Sequence, residues 1–361
     1  MYNDNQKSVY KGRRLEFEIF GASHAPEIGV KIKGFDGRQY NMEELQSFLD
    51  RRRPKNTAYS TKRLETDKVV FKYGTIGGHH ISGECKAIIK NNKQRSSDYE
   101  KAVKIPRPSH ADYVAWAKYG DGFDHRGGGK FSGRMTAPMC IVGGLCKQFL
   151  EMKGIRINAF ISRIGNVFGK NYNDINQETF DFSALDSDFP VINEKDKEPM
   201  MQEIEEARKD NDSIGGVIDC VVTGMPVGAG EYMFDSIESV ISNLVFAVPA
   251  VKGIEFGRGF DFAKMRGSEA NDSLYFSKNG RVKTKTNNNG GINGGLSNGM
   301  PITFRVVIKP TPSIGKEQNT VNLDTRKNTK LKIEGRHDAC IVPRAVAVIE
   351  AVAAIAVYDC I

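Results

Sequence analysis

Several signatures of common function classes are missing from this chain. No pair of its six cysteines (Cys85, Cys140, Cys146, Cys220, Cys340 and Cys360) is spaced C-x-x-C. Several sit in apolar runs, so buried free thiols in a reducing compartment are expected rather than a disulfide framework. The six histidines show neither H-E-x-x-H nor Cys/His metal spacing, and no metal site is expected. There is no G-x-x-x-x-G-K-[ST] loop and no G-x-G-x-x-G placed after a strand, which argues against a Walker-type nucleotide site and a Rossmann hydride-transfer site. The first residues lack a basic segment followed by an apolar one, and the most apolar stretch, Ala345–Val357, is interrupted by Glu350 and too short for a bilayer. A cytosolic protein is expected.

Cationic charge is abundant. The net charge is +8, which favours anionic partners. Aromatic residues are not interleaved with the basic runs, and the single Trp116 lies in a mixed apolar segment. A stacking surface for nucleic acid is therefore disfavoured, and a phosphorylated metabolite fits the charge better.

With 361 residues the chain can bury a sizeable core. Apolar residues at helical spacing predict helices over Asn41–Arg53, Met135–Leu150, Pro199–Lys209, Asp235–Phe246 and Pro343–Tyr358. Asn41 with Glu44 forms a box-like start to the first, and Pro54 ends it. Val217–Val222, Lys252–Gly257 and Ile302–Ile308 read as strands. The order lacks the regular alternation of a doubly wound sheet, so the fold class expected is an α/β sandwich of sheets and helices. One domain over 1–361 is expected, with a polar surface insertion near 170–198 and a functional loop near 311–333.

Six segments could carry chemistry. In Phe20–Gly29 small residues flank Ser23 and His24. Arg51–Arg63 holds six basic residues and no acid. Side chains at the end of a helix are about 100° apart, so three successive arginines cannot share one solvated face and at least one should turn inward toward an anion. Arg107–Asp112, RPSHAD, fixes His110 close to Asp112. Asp121–Arg134, DGFDHRGGGKFSGR, leads a glycine run into a helix, where N–H groups with Lys130, Ser132 and Arg134 can meet an anion. Gly290–Pro301 and Lys309–Ile314 combine glycine pairs with KPTPSI. In Gly335–Arg344, GRHDACIVPR, Arg344 opposes the helix dipole unless a carboxylate or ligand pairs with it. Each segment singly also reads as a turn, a loop or a solvated basic face.

Together and in order, GASHA (Gly21–Ala25), RPSHAD, RGGGKFSGR (Arg126–Arg134) and GRHDAC (Gly335–Cys340) resemble the signatures of the chorismate synthase family. The resemblance runs from about Gly12 to Asp359. It includes Asp212–Glu231, Pro249–Phe260 and Met265–Asp272. It implies a β-α-β sandwich with antiparallel sheets surrounded by helices, a homotetramer, and a lyase of the shikimate pathway that removes phosphate from 5-enolpyruvylshikimate 3-phosphate. Reduced FMN is implied as cofactor, and NADPH as its reductant is left open. By resemblance, His24 protonates the departing phosphate, His110 lies near the flavin, and Asp338 helps move the ring proton by way of flavin N5, with Ser23 and Ser132 in support. Flavin contacts implied are Lys130, Phe131, Ser132, Pro249, Ala250, Gly294, Lys309, Pro310, Thr311, Pro312, Ser313 and Arg336. Arg52, Arg134 and Arg344 would contact substrate. The chain departs from the usual family pattern at Ala22, Ala25, Ala58 and Ser109, and at Lys130-Phe131-Ser132. The first three of these motivate a second reading, a diverged flavin-dependent lyase on a related phosphorylated ring. A basic module for an anionic macromolecule is a third, resting on net charge alone.

Overall fold

Two antiparallel five-stranded sheets enclose a layer of helices in the computed structural model, which describes residues 8–54, 66–91, 104–120, 124, 126–172, 175, 180–333 and 338–361. The first sheet contains β1 (Ser8–Lys11), β2 (Glu16–Gly21), β3 (Glu27–Lys33), β4 (Val69–Ile76) and β5 (His80–Lys90), in the order β1-β2-β3-β5-β4. Alternation sets its register. Ile28, Val30 and Ile32 of β3 face inward opposite Ile89, Ala87 and Cys85 of β5, and all six are buried. Sequence reading missed this sheet.

The second sheet contains β6 (Arg156–Ile164), β7 (Val167–Phe168), β8 (Gly216–Thr223) and β9 (Val251–Phe256). Two hairpins follow, β10 (Leu274–Phe276) with β11 (Val282–Thr284), and β12 (Ile292–Asn293) with β13 (Leu296–Ser297). Strand β14 (Ile302–Ile308) then returns between β8 and β9, giving the order β7-β6-β8-β14-β9.

The helices are α1 (Met42–Arg52), α2 (Asp112–Tyr119), α3 (Thr136–Glu151), α4 (Lys197–Lys209), α5 (Ile237–Phe246), the short α6 (Gly267–Ala270) and α7 (Val342–Cys360). The expected helices and strands match these within a few residues. Asn41 caps α1, its Oδ1 accepting from the N–H groups of Glu43 and Glu44. Glu44 bonds the Asn41 side-chain amide, while the Asn41 backbone N–H donates to Gln148 instead.

Helices α3 and α7 form the middle layer. α3 packs on β3 and β5, and α7 on β6 and β8. Every residue from Ala345 to Asp359 is buried, as a helix apolar on all sides requires. Among the described residues no helix is long and apolar enough to cross a membrane. A Cβ on Gly143 would lie 2.5 Å from Cα, Cβ and the carbonyl oxygen of Ala351, so only glycine lets the two helices approach this closely. Phe35, shortly after β3, meets Phe149 of α3 and Tyr358 of α7 edge to face at 5.1 and 5.2 Å. Such pairs contribute about 0.5–1.5 kcal/mol each beyond their buried area. The cysteines carry no disulfide; five are buried and Cys360 is half-buried.

Two segments are more structured than their polarity suggests. The stretch expected as a surface insertion near 170–198 sets Tyr172 and Leu185 against Phe160 and Val221, on the second sheet. The segment 311–333, expected as a loop, contains the hairpin of β15 (Gln318–Asn322) and β16 (Lys327–Leu331).

Candidate active site

Three glycines stand at the centre of the site. Gly127, Gly128 and Gly129 all adopt positive φ (58°, 86° and 54°), a conformation glycine takes without strain. A Cβ on Gly127 would lie 2.6 Å from Nδ1 of His24, and one on Gly128 would lie 3.3 Å from Nε2 of His110 and 3.8 Å from Cβ of Ser132. The two histidines thus flank one glycine turn. His24 is buried, its Nδ1 sharing a hydrogen bond with Ser23 Oγ at 3.1 Å, and that hydroxyl donates to the Arg126 carbonyl at 2.9 Å. Ser132 Oγ accepts from the Arg134 N–H at 3.3 Å and starts the turn that leads into α3. Lys130 and Phe131, both exposed, follow the glycines directly, and the Phe131 ring lies 6.5 Å from that of Tyr119.

From His24 a chain of polar contacts runs round the site. Asn91 donates to the Ala25 carbonyl at 2.7 Å and accepts from Nε and Nη2 of Arg134, both at 3.1 Å. Arg134 pairs with Asp67, which also receives Arg52 at 3.4 Å. The Arg52 carbonyl accepts from Arg344 Nε at 3.2 Å, and Arg344 Nη1 reaches Asp338 Oδ2 at 2.5 Å. Thr311 donates to the Asp338 carbonyl at 3.1 Å. Two residues on, Ser313 receives Arg107 Nη1 at 3.1 Å, and Arg107 holds Asp112, whose Oδ1 lies 2.6 Å from Nδ1 of His110. The path ends at Gly128, beside its starting point.

The arginines behave as their spacing demands. Arg51 turns inward to Glu350 at 2.8 Å, Arg52 turns inward to Asp67, and Arg53 stays at the surface with Asp50. Burial pulls the Arg52 guanidinium below its ordinary value; Arg344 and Arg134 act the same way, against Asp67. Arg52 is 3% exposed and its Nε has no hydrogen-bond partner among the described residues. Among the described residues one carboxylate, Asp67, thus pairs with both the buried Arg52 and the half-buried Arg134, with Arg344 nearby. Arg344, unfavourable at a helix start, is paired with Asp338 as it must be.

Lys309 donates to the Ser109 carbonyl at 2.7 Å, and its own N–H donates to the Ala250 carbonyl at 2.9 Å. Pro249–Ala250 are thus brought beside the His110 loop. Ala250 is half-buried and holds φ +73°. Burial, with help from Lys252, lowers the Lys309 amine. Ser213 receives no part in the sequence reading, yet its hydroxyl donates to the Thr311 carbonyl at 2.7 Å and steadies the 309–313 strip, in which Pro310 is exposed and Pro312 half-buried. Gly294 stands apart. It occupies the exposed β12–β13 turn, and that hairpin bonds to Ala229 and Ile237. Among the described residues no hydrogen bond joins it to the site. Arg336 and Ala58 lie outside the described residues.

Asp67, Asn91, Arg107 and Asp112 were not singled out as site residues by sequence. For Asp67 the available signal was the inward-turning arginine itself, which requires a buried carboxylate. Asp112 was visible two positions after His110. Burial would raise its carboxyl, but the hydrogen bonds from Arg107 and His110 and the charge of Arg107 outweigh that and hold it well below the usual carboxylate range.

A chorismate synthase family model matches residues 15–361. The chain belongs to the chorismate synthase family. Its members are lyases of aromatic biosynthesis by way of the shikimate pathway. The chorismate synthase of Thermococcus gammatolerans is 42% identical over 351 residues, covering 97% of this chain and 96% of that one. That of Korarchaeum cryptofilum is 40% identical over 349 residues, covering 96% of each. A solved crystal structure of a chorismate synthase superposes with a TM-score of 0.74 at 25% identity, covering 97% of this chain and 92% of the other. The α/β sandwich of antiparallel sheets is therefore the fold of a chorismate synthase. Departures from the usual family pattern acquire a local meaning. Ser109, where glycine is usual, sits at φ +59°. Ala22 and Ala25 keep ordinary negative φ, and the Ala25 N–H closes the turn on the Ala22 carbonyl at 3.0 Å.

Proposed function

We propose that this chain converts 5-enolpyruvylshikimate 3-phosphate to chorismate by 1,4-elimination of phosphate, with reduced FMN bound beside the substrate and no net redox change. The observation that carries this reading is the convergence of two histidines on one glycine turn within a ring that also holds four arginines. The substrate bears a phosphate and two carboxylates, and Arg52, Arg134 and Arg344 are the groups suited to them. His24, supported by Ser23, protonates the departing phosphate, and Asp338 takes part in moving the ring proton. His110, with Ser132 beside it, holds a proton on the flavin side of the turn.

The residues fit a bound flavin. A Cβ at Gly127 or Gly128 would crowd His24 or His110, Phe131 offers an exposed ring, and Lys309 bonds the Ala250 carbonyl beside the His110 loop. Lys130, Ser132, Pro249 and Lys309–Ser313 would hold it. Bound FMN would supply electron density to the substrate transiently and recover it. Gly294 and Arg336 belong to the same reading, as does a cytoplasmic location. So does a homotetramer, which agrees with the exposed run Tyr232-Met233-Phe234. NADPH as reductant rests on the family resemblance.

The test is anaerobic incubation of the chain with 5-enolpyruvylshikimate 3-phosphate and chemically reduced FMN. Chorismate and phosphate should appear in equal amounts while the flavin stays reduced. No chorismate with well-reduced flavin would overturn the reading.

A further inference from the structure

The imidazole of His110 is held by a carboxylate that is itself held by a guanidinium. Nδ1 of His110 lies 2.6 Å from Oδ1 of Asp112 and 3.0 Å from Nη2 of Arg107. These two neighbours make opposite demands. A guanidinium N–H needs a lone pair on Nδ1, whereas a carboxylate needs a proton there. The separations decide between them. Two lone pairs facing each other at 2.6 Å would repel, so Nδ1 carries the proton and donates to Asp112.

Arg107 is occupied with Asp112 instead. Its Nε donates to Oδ2 at 2.7 Å, its Nη2 to Oδ1 at 2.8 Å, and its backbone N–H to Oδ2 at 3.1 Å. Three donors on one carboxylate fix its plane, and a fixed plane fixes the ring that donates to it. Asp112 also occupies the first turn of α2, where a negative charge is favourable. Arg107 Nη1 reaches Ser313 in the strip 309–313, and Lys309 holds the carbonyl of Ser109 next to the histidine. Gly128 and Ser132 close the other side.

With Nδ1 committed, Nε2 is the only ring atom free to change its proton, and it faces the glycine turn. We infer that Asp112, locked by Arg107, is a positioning residue that sets the tautomer of His110 and presents Nε2 to the reacting centre. This rests on the reading of His110 as a proton-handling group. Asp112 acts only through the imidazole, so its loss should cost turnover rather than substrate binding.

The experiment uses the full chain labelled with 15N-histidine, comparing wild type with Asp112→Asn, and needs no substrate in its first arm. Wild-type His110 should show a protonated Nδ1, and Asp112→Asn should move a large share of the ring to the Nε2–H form. In the second arm kcat should fall about 10²–10⁴-fold, the range for a misplaced general acid–base group, with KM within about threefold. Asp112→Glu should restore part of both. An unchanged tautomer in Asp112→Asn overturns the inference, whether or not kcat falls, as does a kcat within about threefold of wild type. Should Asp112→Asn fail to fold, Asp112→Ser, which also removes the carboxylate facing Nδ1, takes its place with the same expected tautomer shift. If wild type makes no chorismate, the reaction assignment fails, while the tautomer arm still tests the geometry.

Discussion

Ser109 shows how a single position can be read from backbone geometry. A residue with a Cβ in the left-handed region carries a strain of about 1–2 kcal/mol, which glycine avoids. Ser109→Gly should therefore raise stability by about 0.5–1 kcal/mol, after the larger unfolded-state entropy of glycine is counted, measured by urea unfolding. A loss of stability would mean that the serine hydroxyl contributes more than its backbone costs. The same scale shows what a sequence can reveal about a site. Arg51, Arg52 and Arg53 were separable on paper because helical geometry forbids them a common face. Their partners were not, because Asp67 and Glu350 reach them through the fold. Asn91 gave no signal at all, since its role is to tie three backbone carbonyls to an arginine more than forty positions away.

Among the elements, α7 depends on a buried charge. Glu350, 1% exposed, pairs with Lys147 of α3 and Arg51 of α1, and Lys147 also donates to the Ile157 carbonyl of β6. Three helices and a strand are thus pinned at one point behind Arg52. Burial would raise the Glu350 carboxyl, but Lys147 and Arg51 outweigh it and hold it below its ordinary value. A carboxylate depressed in the folded state stabilises fully above its unfolded pKa, near ~4.3, and loses that contribution as pH falls through the folded value. Glu350→Gln should cost about 3–5 kcal/mol near neutral pH, as expected when one partner of a buried pair is removed. It should also flatten the loss of stability below about pH 4. Denaturant unfolding at several pH values reads both effects, and a variant as stable as wild type would contradict them. Helices were legible because apolar spacing over three or more turns is hard to mistake. The first sheet was not, because β5 breaks its alternation at Gly83, exposed where an inward residue is due, and at Ile88, buried where an outward one is, and its register is set by β3 from a distant part of the chain.

For the whole molecule, the exposed apolar groups are the informative feature. Tyr232, Met233 and Phe234 stand 71%, 69% and 87% exposed in succession, held out by a positive φ at Met233. Isolated exposed apolar residues are ordinary, but three large ones together mark a contact surface. The proposed homotetramer predicts a mass in solution about four times the 40.0 kDa of the chain, and Phe234→Asp should lower it. A monomer at micromolar concentration would refute the assembly. The layer order followed from pattern and resemblance, whereas closing the ring from His24 to His110 needed the fold, because its links join residues as far apart as Arg52 and Arg344.

The central claim is that the glycine turn between His24 and His110 is where the substrate reacts. It is tested most directly by the anaerobic turnover of His24→Ala with reduced FMN. The account predicts a fall in kcat of about 10²–10⁴-fold, with circular dichroism and unfolding midpoint close to wild type. A His24→Ala enzyme that keeps half the wild-type rate would contradict it.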